Sequence, residues 1–200
     1  MAEIKTERSK KKQFGQFMTP IDMCVDIVGK ISFDVNDRVL EPSFGCGNFI
    51  ISIIDRFLSL YEGSIEAKLE IILNNNVWGV EMDVDMYESC LQSIKDKYGF
   101  LPEKHNLFLS DYLMWENNTT FTKVIGNPPF GGTISVENQD FLDKKYGSRN
   151  GSKIKKETYS FFMVKSIESL SEFGELIFIT SDTFLTIKTM TGLRKFLFNS

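Results

Sequence analysis

The chain has 200 residues, 42% hydrophobic and 25% charged, with a formal net charge of −4 and a single histidine, His105. That length suits one globular domain, or one domain with an appendage. The apolar runs are too short and too broken by charge to span a membrane, and one histidine argues against a histidine-based zinc site or a histidine-driven triad.

The opening MAEIKTERSKKKQ is polar and charged and shows no signal-peptide pattern. Cys24, Cys46 and Cys90 are widely spaced and form no metal or disulfide pattern, so no metal and a reducing cytoplasm are expected. Charge is unevenly placed. Residues 1–12 carry a local net of +3 and residues 141–160 a local net of +4, which leaves −11 on the remainder. A charge run is usually a solvated face, but two basic segments on an acidic body also suit contacts to a phosphate backbone.

In chain order, Thr19-Pro20 reads as an N-cap followed by proline at the first helical position. Ile21, Cys24, Val25, Val28 and Ile31 then recur at helical spacing. RVLEPS (38–43) is a short apolar strand, and Phe49, Ile50, Ile53, Ile54, Phe57 and Leu58 mark the helix after it. Residues 64–74 predict a further helix, VWGVEMD (77–83) a strand, and Tyr87, Leu91 and Ile94 another helix. NLFLSD (106–111) and FTKVIGN (121–127) are strand-like, and residues 131–152 read as a polar, mobile loop. TYSFFMVKSIESL (158–170) predicts a helix and GELIFITSD (174–182) a strongly buried strand.

Strands alternating with helices point to an α/β domain with a mainly parallel sheet, in which ligands sit beyond the carboxyl ends of the strands. Four of the five predicted strands end in conspicuous polar groups: Glu41, Glu81 with Asp83, Asp111, and Asn127. Gly45 and Gly47 permit a tight turn before a helix N-terminus, although Ile50 occupies the third glycine position of the dinucleotide fingerprint. An acid at the end of the second strand, Glu81, suits a pair of ribose hydroxyls; the plain alternative is an exposed strand-end carboxylate. Asn127-Pro128-Pro129-Phe130 removes two backbone donors and fixes two φ angles, so it cannot extend a strand. A rigid turn would account for the prolines. It would not account for a polar amide and a large aromatic being held so stiffly.

GQFMTP (15–20), EPSFGCGNF (41–49), GVEMD (79–83), LSDYL (109–113) and NPPF (127–130) occur in the order seen in the gamma-class adenine-N6 DNA methyltransferases, and residues 157–185 resemble the helix and strand that follow in that family. The resemblance covers nearly the whole chain. It implies a Rossmann-like S-adenosylmethionine-dependent methyltransferase fold with a mainly parallel, twisted central sheet, C-terminally incomplete because two further strands and a target-recognition domain are expected after Ser200 or from a second polypeptide. Residues 1–32 would be a basic segment with a cofactor-contacting helix, and residues 33–200 the catalytic domain with a mobile basic loop at about 131–156.

The same resemblance implies the site. Phe17, Thr19 and Pro20 would lie near the methionine carboxylate of S-adenosylmethionine, and Glu41, Pro42, Phe44, Gly45, Gly47, Asn48 and Phe49 along its methionine and sugar portions. Glu81 would accept from the ribose hydroxyls, Met82 would pack on the cofactor's adenine, and Asp111 with Tyr112 would receive that adenine's amino group. Met82 and Phe44 could equally be core residues. Asn127, also counted among the cofactor-contacting residues, and Pro128 would accept the two N–H bonds of an adenine flipped out of duplex DNA, Pro129 would stiffen the turn, and Phe130 would stack on the base. Ser181 stands where the family commonly has proline. Two rivals remain at this point: an amino-methyltransferase of protein glutamine or RNA, which uses a similar Asn-Pro-Pro-aromatic motif, and a catalytically silent subunit of a larger DNA-binding complex.

Overall fold

A computed structural model of the chain describes residues 18–131, 134 and 136–199. Phe17 and the basic run of residues 1–12 lie outside the described residues. The described residues form two compact units, one of residues 18–127 and 170–178, the other of residues 128–169 and 179–199.

The first unit is built on a five-stranded parallel sheet in the order β3-β2-β1-β4-β7. Its strands are β1 (Val39–Glu41), β2 (Val77–Glu81), β3 (Asn106–Leu109), β4 (Phe121–Gly126) and β7 (Leu170–Phe178). From β1 the chain steps outward to β2 and β3, then returns to the other side of β1 as β4. The order therefore reverses between β1 and β4, the place where open α/β sheets bind ligands. The predicted strand ends fall here: Glu41 is the last residue of β1, and Asn127 directly follows β4.

Four helical segments accompany the strands: α1 (Ile21–Gly29), α2 (Asn48–Leu58), α3 (Ile65–Ile71) and α4 (Val84–Tyr98). The core is formed by Val39, Leu40, Ile50, Ile53, Ile54, Phe57, Val80, Val124 and Ile125, all fully buried. Residues Phe49 to Ile54 of α2 are all buried, while Asp55 of the same helix is exposed, so the helix packs by an apolar face with a polar edge to solvent. Asp83 caps α4 by accepting from the N–H groups of Asp85 and Met86, and Gly99 ends it at φ 74°.

Several expectations shift. The cap at Thr19 is not formed: Pro20 is the N-cap of α1, and the Thr19 side chain bonds elsewhere. The helix expected over 64–74 ends at Ile71 and continues as a π-helical turn, Ile72–Asn76, into β2. Only Cys24 and Val28 of the α1 stripe are buried. The last strand begins four residues before Gly174 and is half-buried rather than strongly buried, because among the described residues it pairs only with β4 and so forms an edge.

The second unit holds α5 (Val136–Tyr146), a ribbon of β5 (Ser148–Arg149) and β6 (Ser152–Lys153), α6 (Thr158–Glu168), α7 (Thr183–Thr186) and α8 (Thr191–Leu197). The expected loop is thus a helix and an antiparallel hairpin. Leu142 and Tyr146, one turn apart, bury the inner face of α5, and Lys144 and Lys145 fall at its C-terminal end, where cations are favoured. Asn150 and Gly151 take positive φ at the hairpin tip, the conformation an Asn-Gly pair is suited to.

Candidate active site

Thr19 ties together three stretches of the first unit that are far apart in sequence. Its hydroxyl accepts from Asn127 Nδ2 at 3.1 Å, and its carbonyl accepts from Asn48 Nδ2 at 2.8 Å. Ser43 Oγ donates to the Asn127 carbonyl at 3.4 Å. The Asn127 amide is therefore held from its nitrogen side. Ser43 lies inside a stretch already singled out, but nothing about its spacing marks it as a support for Asn127. That role depends on the pairing of β1 with β4.

The turn after β1 is shaped by the same sheet. Gly45 donates its N–H to Glu81 Oε2 at 2.8 Å, while Met82 and Asp83 donate theirs to Glu81 Oε1 at 2.9 and 2.8 Å. Glu81 is thus a brace between two loops as well as a strand-end acid. Gly47 stands at φ 88° as the N-cap of α2, and a Cβ there would lie 2.3 Å from Cys90 Sγ. Only glycine satisfies both conditions.

Glu41 and Glu81 end adjacent strands and are both buried. Burial first, and the Glu81 charge second, push the Glu41 carboxyl well above the usual carboxylate range. Burial also raises Glu81, but the N–H groups of Asp83, Gly45 and Met82 oppose the rise. Glu41 Oε2 has no hydrogen-bond partner among the described residues. Such an atom normally has one. Burial pushes the Cys24 thiol up to about 12 and raises Cys90 further, which leaves neither as a thiolate nucleophile.

The remaining predicted residues divide by exposure. Met82 is half exposed just beyond β2. Phe44 and Phe49 are buried, and the Phe44 ring lies so close to Gly79 that a Cβ there would meet it at 2.6 Å. Phe44 is therefore a packing residue at its ring and a turn residue at its backbone, where its N–H donates to Val80 O. Asp111 Oδ1 accepts from Leu113 N, and the buried Tyr112 lies beside Trp115. Pro42 packs close to Gly126, whose Cβ would sit 3.4 Å from its Cδ. Among the described residues no group of three or more His, Cys, Asp or Glu side chains could hold a metal, and no helix is long and apolar enough to cross a membrane.

In the second unit Pro128 is buried, Pro129 half-buried and Phe130 39% exposed. The Phe130 ring is stacked on Tyr159, with centroids 5.8 Å apart and planes inclined by 20°. Tyr159 in turn hydrogen-bonds Thr180 through its hydroxyl. The basic stretch of this unit is partly neutralised from within: Arg149 pairs with Glu168, Lys155 with Glu157 and Lys156 with Asp143. Lys144 and Lys153 remain exposed.

The chain is 31% identical to the Type II methyltransferase M.BstVI of Geobacillus stearothermophilus, over 96% of this chain and 37% of that protein. It is 29% identical to M.HincII of Haemophilus influenzae, over 97% of this chain and 33% of that protein. The chain thus spans about a third of the length of these curated relatives. Among solved structures, a DrdV–DNA complex superposes with a TM-score of 0.71 at 22% identity, over 94% of this chain and 22% of that one. A type I restriction-modification methyltransferase subunit from Streptococcus thermophilus superposes at 0.65 and 18% identity, over 92% of this chain and 38% of that one. These two likenesses concern the fold. The family model for the Eco57I restriction-modification methylase matches residues 49–200, from the first turn of α2 onward. With that match over most of its length, the chain belongs to the Eco57I restriction-modification methylase family.

Proposed function

We propose that this chain carries the catalytic part of a DNA methyltransferase that moves a methyl group from S-adenosylmethionine to the exocyclic amino nitrogen of an adenine rotated out of the duplex. The observation that carries the reading is the Thr19–Asn127 hydrogen bond, which orients a side-chain amide at the switch point of the sheet and immediately before two prolines. Family membership supports methyl transfer in a restriction-modification setting.

The amino nitrogen of adenine is a poor nucleophile because its lone pair is delocalised into the ring. To react it must become tetrahedral and take up positive charge. Asn127 Oδ1 and the Pro128 carbonyl, neighbours in the chain, are the acceptors for its two N–H bonds. Fixed in advance, they stabilise the charge as it develops, and one such group contributes about 3 kcal/mol. Pro128 and Pro129 restrict the backbone that carries these carbonyls. Phe130 offers its exposed ring to the flipped base, a contact worth about 1–3 kcal/mol. The methylated ammonium loses its proton readily, so no base needs to act first.

The residues at the ends of β1 and β2 suit the cofactor. Glu41 Oε2 is buried with no partner among the described residues, which fits a cationic ligand, and a Cβ on Gly45 would meet nothing within 4 Å, which marks open space beside the turn. Thr19, Pro20, Glu41, Gly45, Gly47, Glu81, Met82, Asp111 and Tyr112 are the residues assigned to hold it. When bound, S-adenosylmethionine supplies a methyl group on a cationic sulfur.

The test is methyl transfer from labelled S-adenosylmethionine to mixed-sequence duplex DNA by the full natural polypeptide, with products digested to nucleosides. Label is expected on the adenine amino group, with the single-turnover rate lowered at least about 100-fold by Asn127→Ala. Label on protein glutamine or RNA instead, or an Asn127→Ala variant as fast as the parent, would overturn the assignment.

A further inference from the structure

We infer that Tyr159 is a positioning residue for the target base, acting through Phe130; this rests on the adenine reading given above. The two rings are stacked with 5.8 Å between centroids and 20° between planes, within the range of about 4.5–7 Å for favourable offset pairs. Their exposures differ sharply. Tyr159 is 5% exposed and Phe130 39% exposed, so the tyrosine is the fixed member and the phenylalanine the accessible one.

A flat ring has two faces. Tyr159 covers one face of Phe130 and leaves the ring partly open, in the arrangement a backing plate gives to a stacking platform. Without that backing, the Phe130 side chain would have to lose rotational freedom when a base arrives, which weakens binding and slows the step that follows. Tyr159 is itself anchored twice. Its hydroxyl bonds Thr180, and its neighbour Ser160, fully buried, bonds the Met190 sulfur at 3.7 Å. The first turn of α6 is thereby pinned, and with it the tyrosine ring. The sequence shows Tyr159 only as one apolar position in a helix; its partnership with a residue 29 positions earlier is a property of the fold.

A double-variant cycle decides the matter, using the full natural polypeptide, labelled S-adenosylmethionine and mixed-sequence duplex DNA in single-turnover mode. Phe130→Leu and Tyr159→Leu are each expected to slow adenine labelling by roughly 10-fold. The double variant is expected to be within about twofold of the slower single one, because the two side chains act in series. Tyr159→Phe, which keeps the flat ring, should return the rate to within about threefold of the parent, and S-adenosylmethionine affinity should be unchanged throughout. If Tyr159→Leu does not fold, Tyr159→Met fills similar space without a flat face and carries the same expectation. A folded Tyr159→Leu or Tyr159→Met variant at the parent rate overturns the inference, as does a double variant whose defects multiply to about 100-fold. Absence of adenine label with the unaltered protein is the separate outcome that overturns the underlying reading, and the inference with it.

Discussion

Phe173 is the residue whose conformation fits its chemistry least. It stands at φ 62° with its ring 94% exposed, in a part of β7 where the register with β4 shifts. A bulky side chain in the left-handed region is strained, and among the described residues no contact rewards the exposed ring. Phe173→Gly is expected to raise stability by about 1 kcal/mol, read as an increase in the urea midpoint with unchanged slope. Gly47 is the opposite case. Its φ of 88° and the Cys90 sulfur 2.3 Å from a would-be Cβ make Gly47→Ala costly on both counts, by about 2–3 kcal/mol in the same titration. Gly47 was legible beforehand because a glycine turn before a helix is a local signal. The Phe173 strain was not, since nothing local forces a left-handed aromatic.

At the scale of elements, the decisive feature is that β1 and β2 both end in buried carboxyls. The folded chain holds Glu41 well above its ordinary value of 4.5 and Glu81 above it as well, so the folded state binds protons more tightly than the unfolded one. Their contribution to stability is therefore full below the ordinary glutamate value and is lost as pH rises through the folded values. Without cofactor, stability should decline across that window. Glu41→Gln removes one titrating group and should flatten the decline, leaving the variant more stable than the parent at the alkaline end by about 1–3 kcal/mol. Denaturant unfolding at a series of pH values checks this, and an unchanged profile would contradict the burial of Glu41. Five parallel strands were foreseeable from short apolar runs spaced by helical ones. The periodicity of residues 131–152 does not mark α5, although Asn150-Gly151 carries a hairpin signal. Among the residues of α5 whose burial is described, only Leu142 and Tyr146 are buried and apolar, too few to set a period against that polar background.

For the chain as a whole, a ligand that completes the ends of β1 and β2 must also stabilise the unit that holds them. S-adenosylmethionine at about 100 times its dissociation constant should add about 2.7 kcal/mol and raise the unfolding transition of the sheet unit by roughly 5–10 °C. A silent subunit with no need of the cofactor would show no shift, so a thermal scan separates that alternative from the enzyme. The sequence by itself determined the strand order's raw material: which runs are apolar, which turns need glycine or proline, and which polar groups stand at the strand ends. These are local properties, written in periods of a few residues. Only the tertiary structure decided that Thr19 holds Asn127 instead of capping its own helix, that Glu41 is buried beside Glu81, that Phe44 packs against Gly79, and that Tyr159 backs Phe130. Each of these joins residues separated by 29 or more positions, and their meeting depends on how the chain pairs and packs across the fold, which no local period encodes.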